Sequence, residues 1–267
     1  MYEAGYESTW RLCSVDPYSW ADTTELGHIL SASITRSING TAPSIDSANV
    51  ELSSEPPAIG SYVRLWMDAR SKGILKRVPI VTARVAPSSS DISDNLRVRS
   101  DVALDSVLKP AEETAMANGW YAPQGSDAIQ IASALLSSCI FAPVVVDDGK
   151  HAILEEDIVA GGESVLSIAW ALIGDGWELV TDGMGVVHLR PWRTTAITIN
   201  DSILCSSLSE GTDADGNTLD YTREWSDDID VGSYVRISGM YGIWEVMSQR
   251  ISCGCGATVA ETVSEVK

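Results

Sequence analysis

The 267-residue sequence predicts an α+β, mainly β fold in which two antiparallel β-domains, each a barrel or a sandwich, flank a small α/β insertion domain. Residues 1–100 and 199–267 contain alternating or β-branched segments separated by turn clusters, which is typical of antiparallel strands. Residues 101–198 instead contain two segments of helical periodicity followed by a hairpin pattern. A six-residue segment of the first region also recurs in the last. We therefore predict three domains with these boundaries.

The first hundred residues predict strands and no long helix, because no segment sustains a helical period over three turns. Turn-forming clusters at residues 39–43 and 54–57 separate the apolar segments. Strands are predicted over Trp10 to Val15, Ile29 to Ser37, Ser47 to Leu52, Ser61 to Asp68 and Val78 to Val85.

The middle region predicts two helices and a hairpin. Ser126 is a suitable N-cap for the first helix, whose apolar residues share one face. The second helix is predicted from Glu163, and Gly174 is its stop. Two strand-like segments, Trp177 to Val180 and Val186 to Leu189, flank a glycine-rich turn and predict the hairpin.

The last region returns to a strand pattern from about Ile197. A polar excursion over Ser206 to Asp220 comes first. Strands are then predicted over Ser233 to Ser238, Ile243 to Arg250 and Thr258 to Val263.

The recurring segment is Gly60 to Leu65, which reappears as Gly232 to Ile237 with five identical residues and an offset of 172. Such a match predicts that the two β-domains are a duplication. The alternative is that Gly-Ser-Tyr-Val-Arg is a common edge-strand sequence. Under the duplication, three copies of the chain would present six quasi-equivalent domains.

Charge is distributed unevenly along the chain, whose formal net charge is −19. The net charge is −1 over residues 1–100, −10 over 101–198 and −8 over 199–267. This balance excludes a basic groove that grips nucleic acid through its phosphates. The apolar runs are much shorter than the roughly 20 residues that a bilayer requires, so we expect no membrane insertion.

Two stretches resemble a known family. The first runs from Gly161 to Trp170 and continues through Gly176 to Leu179, the Asp182-Gly183 turn and His188 to Pro191. The second comprises Val231 to Arg236, Met247 to Gln249, Gly254 to Thr258, and Glu261. Together they are similar to the hub proteins of phage tail tips and baseplates, although the chain is short for that family and lacks an added lysozyme-like, peptidase or receptor-binding module.

The resemblance implies a structural, non-enzymatic homotrimer at the distal tail tip of the virion, made in the host cytoplasm. Its two tail-tube-like β-domains would form a pseudo-sixfold ring that caps the tail tube. The partners implied are a distal tail or tail-tube protein, a central spike or fibre protein and the tape-measure protein. A hub of a phage-derived contractile injection system fits the resemblance equally.

The same resemblance implies a channel through which DNA leaves the tail. An acidic lining would repel phosphate and let DNA slide without specific binding. Because the two β-domains differ in charge, we expect the electrostatic potential to alternate around the ring.

The repeated strands supply the candidate contact residues for neighbouring subunits or the tail tube. Aromatic and arginine side chains are typical interface anchors. These candidates are Tyr62, Arg64, Trp66, Tyr234, Arg236 and Trp244. The nine Trp residues allow the alternative function of a carbohydrate-binding protein that recognises a host surface through exposed indole rings.

Metal sites have weak support, and we expect no metal or cofactor. Residues 213–220 carry carboxylates around a glycine, as a calcium loop does, but lack the terminal Glu of an EF-hand and equally suit a polar hairpin tip. Cys253 and Cys255, with His151 or His188, contain the ligand types of zinc, yet their spacing also fits structural thiols.

Catalytic constellations are also weak. His28, His151 and His188 lie in unrelated contexts, and no nucleophile elbow is present. The acids at 155–157 and 227–228 could in principle serve a glycosidase, but adjacent acids usually mark a solvated loop. We therefore predict that the protein is not an enzyme.

Overall fold

The computed structural model describes residues 7–39, 42–71, 74–87, 89–92, 98–174, 176–192, 195–199, 209–213, 216–225, 229–253 and 257–266. Most of the secondary structure is β-strand and most strand pairs are antiparallel, which confirms the predicted mainly β class.

The first region folds into eight strands, and each of the five predicted strands is present. They are β1 (Glu7–Val15), β2 (Asp22–Glu25), β3 (Ile29–Asn39), β4 (Ala42–Leu52), β5 (Tyr62–Ser71), β6 (Ile74–Val85), β7 (Ser89–Ile92) and β8 (Val98–Asp105).

The middle region combines short strands with helices. In chain order its elements are α1 (Lys109–Glu113), β9 (Trp120–Ala122), α2 (Ala128–Cys139), β10 (Val144–Val146), β11 (Ile158–Ala160), α3 (Val165–Ile173), β12 (Trp177–Thr181) and β13 (Val187–Pro191). The predicted hairpin is the antiparallel pair β12–β13, and Gly174 ends α3 as predicted. The predicted N-cap of α2 is wrong by one residue, because Asp127 and not Ser126 accepts the hydrogen bond from the amide of Gln130.

The two longer helices start in the same way. Asp127 caps α2 and Ser164 caps α3, and each cap follows a glycine of positive φ by two residues, Gly125 at 84° and Gly162 at 96°. The strands before them, β9 and β11, pair with each other. The α/β unit is therefore built from two similar strand–helix elements at an offset of 37 residues, a repeat that the sequence analysis missed.

The last region contains six strands: β14 (Ile197–Ile199), β15 (Ser209–Asp213), β16 (Gly216–Glu224), β17 (Tyr234–Ile237), β18 (Trp244–Cys253) and β19 (Ala257–Glu265). The three predicted strands correspond to β17, β18 and β19. The polar excursion is largely the antiparallel hairpin β15–β16, which its polar composition concealed.

The strands of the first and last regions form one continuous 14-stranded sheet in the order β15-β16-β19-β18-β3-β4-β8-β6-β5-β1-β2, with β14, β17 and β7 paired off this path. The connection between the two regions is the antiparallel pairing of β18 with β3. Strand β8 spans residue 100 and β14 spans residue 198, so both predicted boundaries fall within strands; the division into domains itself stays a prediction.

The two copies of the repeated segment have the same backbone environment. Gly60 and Gly232 have φ of 82° and 80°. The Gly60 amide donates to the Val85 carbonyl at 2.8 Å, and the Gly232 amide donates to the Val246 carbonyl at the same distance. Glycine adopts this left-handed conformation without the steric cost that other residues incur.

Topology extends the equivalence beyond the repeated segment. Strands β3, β4, β8, β6 and β5 are connected by hydrogen bonds in the same order as β15, β16, β19, β18 and β17. We call these two five-strand sets the first and the second module. Both modules pair apolar residues of their third and fourth strands: Leu104 of β8 lies opposite Val85 of β6, and Val263 of β19 lies opposite Val246 of β18.

Three buried clusters stabilise the chain. One lies mainly in the first region, a second mainly in the α/β unit and a third in the last region. The first cluster also includes Trp225, Ile251 and Val259, which come from the last region. The two modules therefore share part of one core.

Candidate functional site

The six candidate contact residues occupy different environments. Tyr62, Arg64 and Trp244 are 4%, 1% and 5% exposed, so their side chains pack inside the chain. Trp66 and Tyr234 are half-buried, and Arg236 is exposed. Nothing in the structure tests whether these residues contact another subunit, and that role stays a prediction.

Arg64 joins the first module to the α/β unit. Its guanidinium donates to Asp22 Oδ1 at 2.5 Å and to Thr82 Oγ1 at 2.8 Å. It also donates to the backbone carbonyls of Trp20 at 3.3 Å and Met184 at 3.1 Å. Burial lowers the pKa of Arg64, and the charge of Asp22 opposes that shift. A planar group with several fixed donors suits this role, which a lysine could not fill.

The turn that Arg64 contacts is the Asp182–Gly185 turn of the β12–β13 hairpin. The indole Nε1 of Trp20 donates to the Met184 carbonyl at 2.8 Å, and Thr82 Oγ1 donates to the Gly183 carbonyl at 3.0 Å. A Cβ added to Gly183 would lie 2.1 Å from the Pro79 carbonyl oxygen. The glycines of this turn are therefore required by its close approach to β6.

The second module has a different contact at the equivalent position. Arg84 lies opposite Tyr62 in the first module, and Glu245 lies opposite Tyr234 in the second. Arg84 donates to Glu113 of α1 at 3.2 Å. Burial and the nearby charge of Glu178 on β12 raise the pKa of Glu245. The α/β unit thus forms an ion pair with the first module, through Glu113 and Arg84, whereas its Glu178 carboxyl group lies near the Glu245 carboxyl group of the second module.

A buried ion pair holds the second module together. Arg223 Nη2 and Glu261 Oε1 are 2.5 Å apart, with side chains 1% and 0% exposed. Gln249 Nε2 also donates to Glu261, at 2.7 Å. These residues come from β16, β19 and β18, so the network crosses three adjacent strands. A buried pair of this kind is a packing feature, because solvent and ligands do not reach it.

Two of the three histidines lie beside carboxylates. His151 Nδ1 lies 2.7 Å from the capping carboxylate of Asp127, and His188 lies 3.3 Å from Asp147 and 3.5 Å from Asp182. His28 is exposed. In the part of the chain that the structure describes, no cluster of three or more His, Cys, Asp or Glu residues could hold a metal ion.

His188 lines a cleft of about 330 Å³ at which all three regions of the chain meet. The cleft also contains Arg36, Arg190, Asp182 and Asp230. Its cations are paired with its acids or their neighbours: Arg36 with Asp230 at 3.1 Å and Arg190 with Glu178 at 2.5 Å. The sequence analysis missed this cleft because its residues are far apart along the chain.

The remaining candidate sites are only partly described. The acids at 155–157 are exposed, as expected of a solvated loop, whereas residues 227 and 228 lie outside the described residues. The candidate calcium loop lies at the tip of the β15–β16 hairpin, where Asp213 is opposite Gly216, but its tip residues 214 and 215 are not described. The Cys255 end of the candidate zinc pair is not described either.

Eight of the nine tryptophans are buried or half-buried. Trp177, Trp225 and Trp244 are buried, and Trp192 is the exposed one, at 51%. The other five are half-buried: Trp10, Trp20, Trp66, Trp120 and Trp170. The alternative function of carbohydrate recognition through exposed Trp residues stays a prediction, and Trp192 is the most exposed of its candidates.

No helix in the described ranges is long and apolar enough to cross a membrane.

Comparison with known proteins places the fold among tail proteins. No protein-family model and no curated protein matches the chain. A 43 kDa tail protein of prophage MuSo2 from Shewanella oneidensis superposes with a TM-score of 0.70 at 12% identity, covering 97% of both chains. A tail protein from Neisseria meningitidis MC58 gives a TM-score of 0.69 at 12% identity, covering 98% of this chain and 96% of that one.

A third similar structure is E. coli c3393, a component of the type VI secretion system described as similar to T4 tail proteins gp27 and gp5. It gives a TM-score of 0.62 at 11% identity, covering 90% of this chain and 74% of that one. At these identities the comparisons show a shared fold. The predicted resemblance to phage tail and baseplate proteins is therefore confirmed at the level of the fold.

Proposed function

We propose that the protein is a structural, non-enzymatic hub of a phage tail tip or baseplate, which forms a trimeric ring at the end of the tail tube. The observation that carries this proposal is the presence of two topologically equivalent β-modules in one sheet, within a fold shared with tail proteins.

Two modules per chain solve a symmetry problem. A tail tube is sixfold, as the resemblance implies, whereas a central spike or fibre is threefold. Three copies of this chain offer six modules of similar topology, so one ring would match sixfold contacts on one side and threefold contacts on the other. The α/β unit is present three times in such a ring and marks its threefold character.

The partners follow from this position at the distal tip of the virion. A distal tail or tail-tube protein would contact the ring on one side, and a spike or fibre protein would contact it on the other. The tape-measure protein would end at the ring before DNA release. The similarity to a type VI secretion component supports a hub of a contractile injection system equally.

The charge of the chain suits a channel through which DNA passes without binding. The last two regions carry 18 of the 19 net negative charges, so second modules and first modules would alternate in potential around the ring. Exposed acids repel phosphate, whereas clustered Lys and Arg would retain DNA in a salt-dependent manner.

Electron microscopy of tail particles carrying an epitope tag on this chain tests the proposal. We expect three tags per particle, all at the distal end of the tube. The matched control is the same tag on the major tail-tube protein, which should label the whole length of the tube. Absence of the tag from tail particles, or labelling along the tube, would overturn the proposal.

A further inference from the structure

The connection between the two modules inside one chain shows how modules join edge to edge. The distal half of β18 pairs antiparallel with β3, and Ile251 lies opposite Ile34 in that pairing. This junction is formed by backbone hydrogen bonds between the last residues of β18, the fourth strand of the second module, and β3, the first strand of the first module.

Each half of this junction has a counterpart elsewhere in the chain. The first module's equivalent of the distal half of β18 is β7. Ser90 follows Val85 by five positions, as Ile251 follows Val246. On the strands opposite, Leu104 follows Ser100 by four positions, as Val263 follows Val259.

The second module's equivalent of β3 is β15. In the first module, Leu104 pairs with Ala48, which pairs in turn with Ile34 of β3. In the second module, Val263 pairs with Leu219, which pairs in turn with Glu210 of β15. Ser90 is thus equivalent to Ile251, and Glu210 is equivalent to Ile34.

These two counterparts have open edges. Among the described residues, β7 pairs with β8 alone and β15 pairs with β16 alone. Unpaired backbone amides and carbonyls along a strand edge are a template for pairing with another strand. Inside the chain the equivalent edges of β18 and β3 satisfy each other.

We infer that β7 of one copy pairs antiparallel with β15 of the next copy, and so repeats between chains the junction that β18 and β3 form within a chain. This inference rests on the proposed ring. The within-chain register then places Ser90 opposite Glu210 of the partner subunit and Ser89 opposite Gly211 of the partner subunit. The contact is heterologous, because β7 and β15 are different surfaces, and three such contacts form a closed ring when each relates neighbouring copies by a threefold rotation.

Engineered cysteines at the paired positions test the register. Residues directly opposite in an antiparallel pair have Cα atoms about 4.5 to 5.5 Å apart, which is within the range that a disulfide spans. We expect tail particles that carry the double variant Ser90→Cys/Glu210→Cys to give disulfide-linked dimers and trimers, and no larger species, on non-reducing gels. Each single variant controls for the native cysteines.

A matched control uses another open edge of the sheet, that of β2. Strand β2 is exposed along its whole length and pairs with β1 alone in the described part of the chain, but it has no counterpart in the second module. The double variant Ser90→Cys/Thr24→Cys should therefore give no linked trimer. A mixture of the two single variants Ser90→Cys and Glu210→Cys should give linked dimers, since each link then requires two different chains.

The outcomes separate this inference from the proposed function. Particles that contain three copies of the double variant but show no link would overturn the edge pairing and leave the hub function standing. Absence of the chain from tail particles would overturn the hub function, and oxidation of the purified double variant would then decide the pairing by itself.

Discussion

At the scale of the residue, identical sequence has opposite consequences in the two copies of the repeat. Arg64 is 1% exposed and bound to four acceptors, whereas the equivalent Arg236 is exposed. The difference comes from the β12–β13 hairpin, whose turn supplies the Met184 carbonyl to Arg64 and covers it. The residue type alone could not predict this, because burial depends on a segment 120 residues away.

Substitution of Arg64 should therefore lower the free energy of unfolding. Arg64→Met removes the hydrogen bonds of the buried guanidinium to Asp22, Thr82 and two backbone carbonyls, although the indoles of Trp66 and Trp20 still donate to Asp22 and to the Met184 carbonyl. Loss of hydrogen bonds that involve a charged group typically costs about 1.5–3 kcal/mol. We expect a loss of about that size in the free energy of unfolding, measured by urea denaturation. Arg236→Met is the matched control and should change stability by less than about 0.5 kcal/mol. Equal effects of the two substitutions would contradict the role assigned to Arg64.

Glu245 should make stability depend on pH. Burial and the charge of Glu178 raise the pKa of Glu245, so the folded protein binds that proton more tightly than the unfolded chain does. Its contribution to stability is full below the unfolded pKa of about 4.3 and is lost as the pH rises through the higher folded value. Arg190, which pairs with Glu178, and Tyr234, which lies opposite Glu245, are the other titratable groups identified at this contact.

The variant Glu245→Gln should accordingly be more stable than the wild type at pH 7 and equally stable near pH 4. The gain should stay below about 1 kcal/mol, because solvent screens a half-buried charge. Urea unfolding at both pH values measures it, with Glu210→Gln on the exposed edge strand as control. A stabilisation that persists unchanged at pH 4 would assign the effect to packing and not to charge.

At the scale of the element, the sequence predicts those strands and helices whose formation depends on neighbouring residues. Every predicted strand and both predicted helices are present, because alternation, helix caps and glycine stops act over a few residues. The β15–β16 hairpin was missed because its strands are polar. The described residues of β15 are exposed, and one of the buried positions of β16 is Arg223, so the hairpin carries little hydrophobic pattern.

The contact of the Asp182–Gly185 turn with β6 could not be predicted from the local sequence either. The turn itself was predicted, but its contact with β6 depends on a close approach of Gly183 to Pro79, 104 residues earlier in the chain. Sequence periodicity reports which face of an element is apolar. It does not report which other element comes within van der Waals distance.

Gly183→Ala tests that contact. The added methyl would lie 2.1 Å from the Pro79 carbonyl oxygen, so the hairpin must move away from β6. Overpacking of this kind typically costs about 1–3 kcal/mol. We expect faster amide hydrogen exchange in β6 and loss of thermal stability. Gly176→Ala is the control: its Cβ would meet nothing within 4 Å, although its φ of 87° strains any other residue. Faster exchange in β6 with both variants would show that backbone strain, and not the docking contact, is responsible.

At the scale of the whole molecule, the two modules are alike in topology and unlike in their surroundings. The first module is attached to the α/β unit by the Arg84–Glu113 pair, whereas the second faces that unit with Glu245. The equivalent backbone path at Gly60 and Gly232 was predictable from the six-residue repeat, since a repeated glycine turn imposes the same local geometry. The continuity of the sheet was not, because the pairing of β18 with β3 joins residues more than 200 positions apart.

That continuity predicts cooperative unfolding of the two modules. Ile251 is 0% exposed and, although it lies on β18 of the second module, it packs in the core cluster of the first. Truncation of a buried Ile to Ala costs about 2–5 kcal/mol. We expect Ile251→Ala to lower the free energy of unfolding by about 3 kcal/mol. Amide exchange should rise in β3 and β4 as much as in β16 and β19, with a single unfolding transition for both modules.

The matched control is Ile129→Ala, which truncates a residue of the same type at 0% exposure in the core of the α/β unit. It should cost a similar amount, yet its fastest exchange should lie in α2 and α3. If Ile251→Ala instead accelerated amide exchange in the second module alone, the two modules would unfold independently although their strands form one continuous sheet. The chain would then behave as two modules that touch. A ring assembled from such chains would have six equally weak junctions, whereas cooperative modules predict three strong junctions within chains and three weaker ones between them.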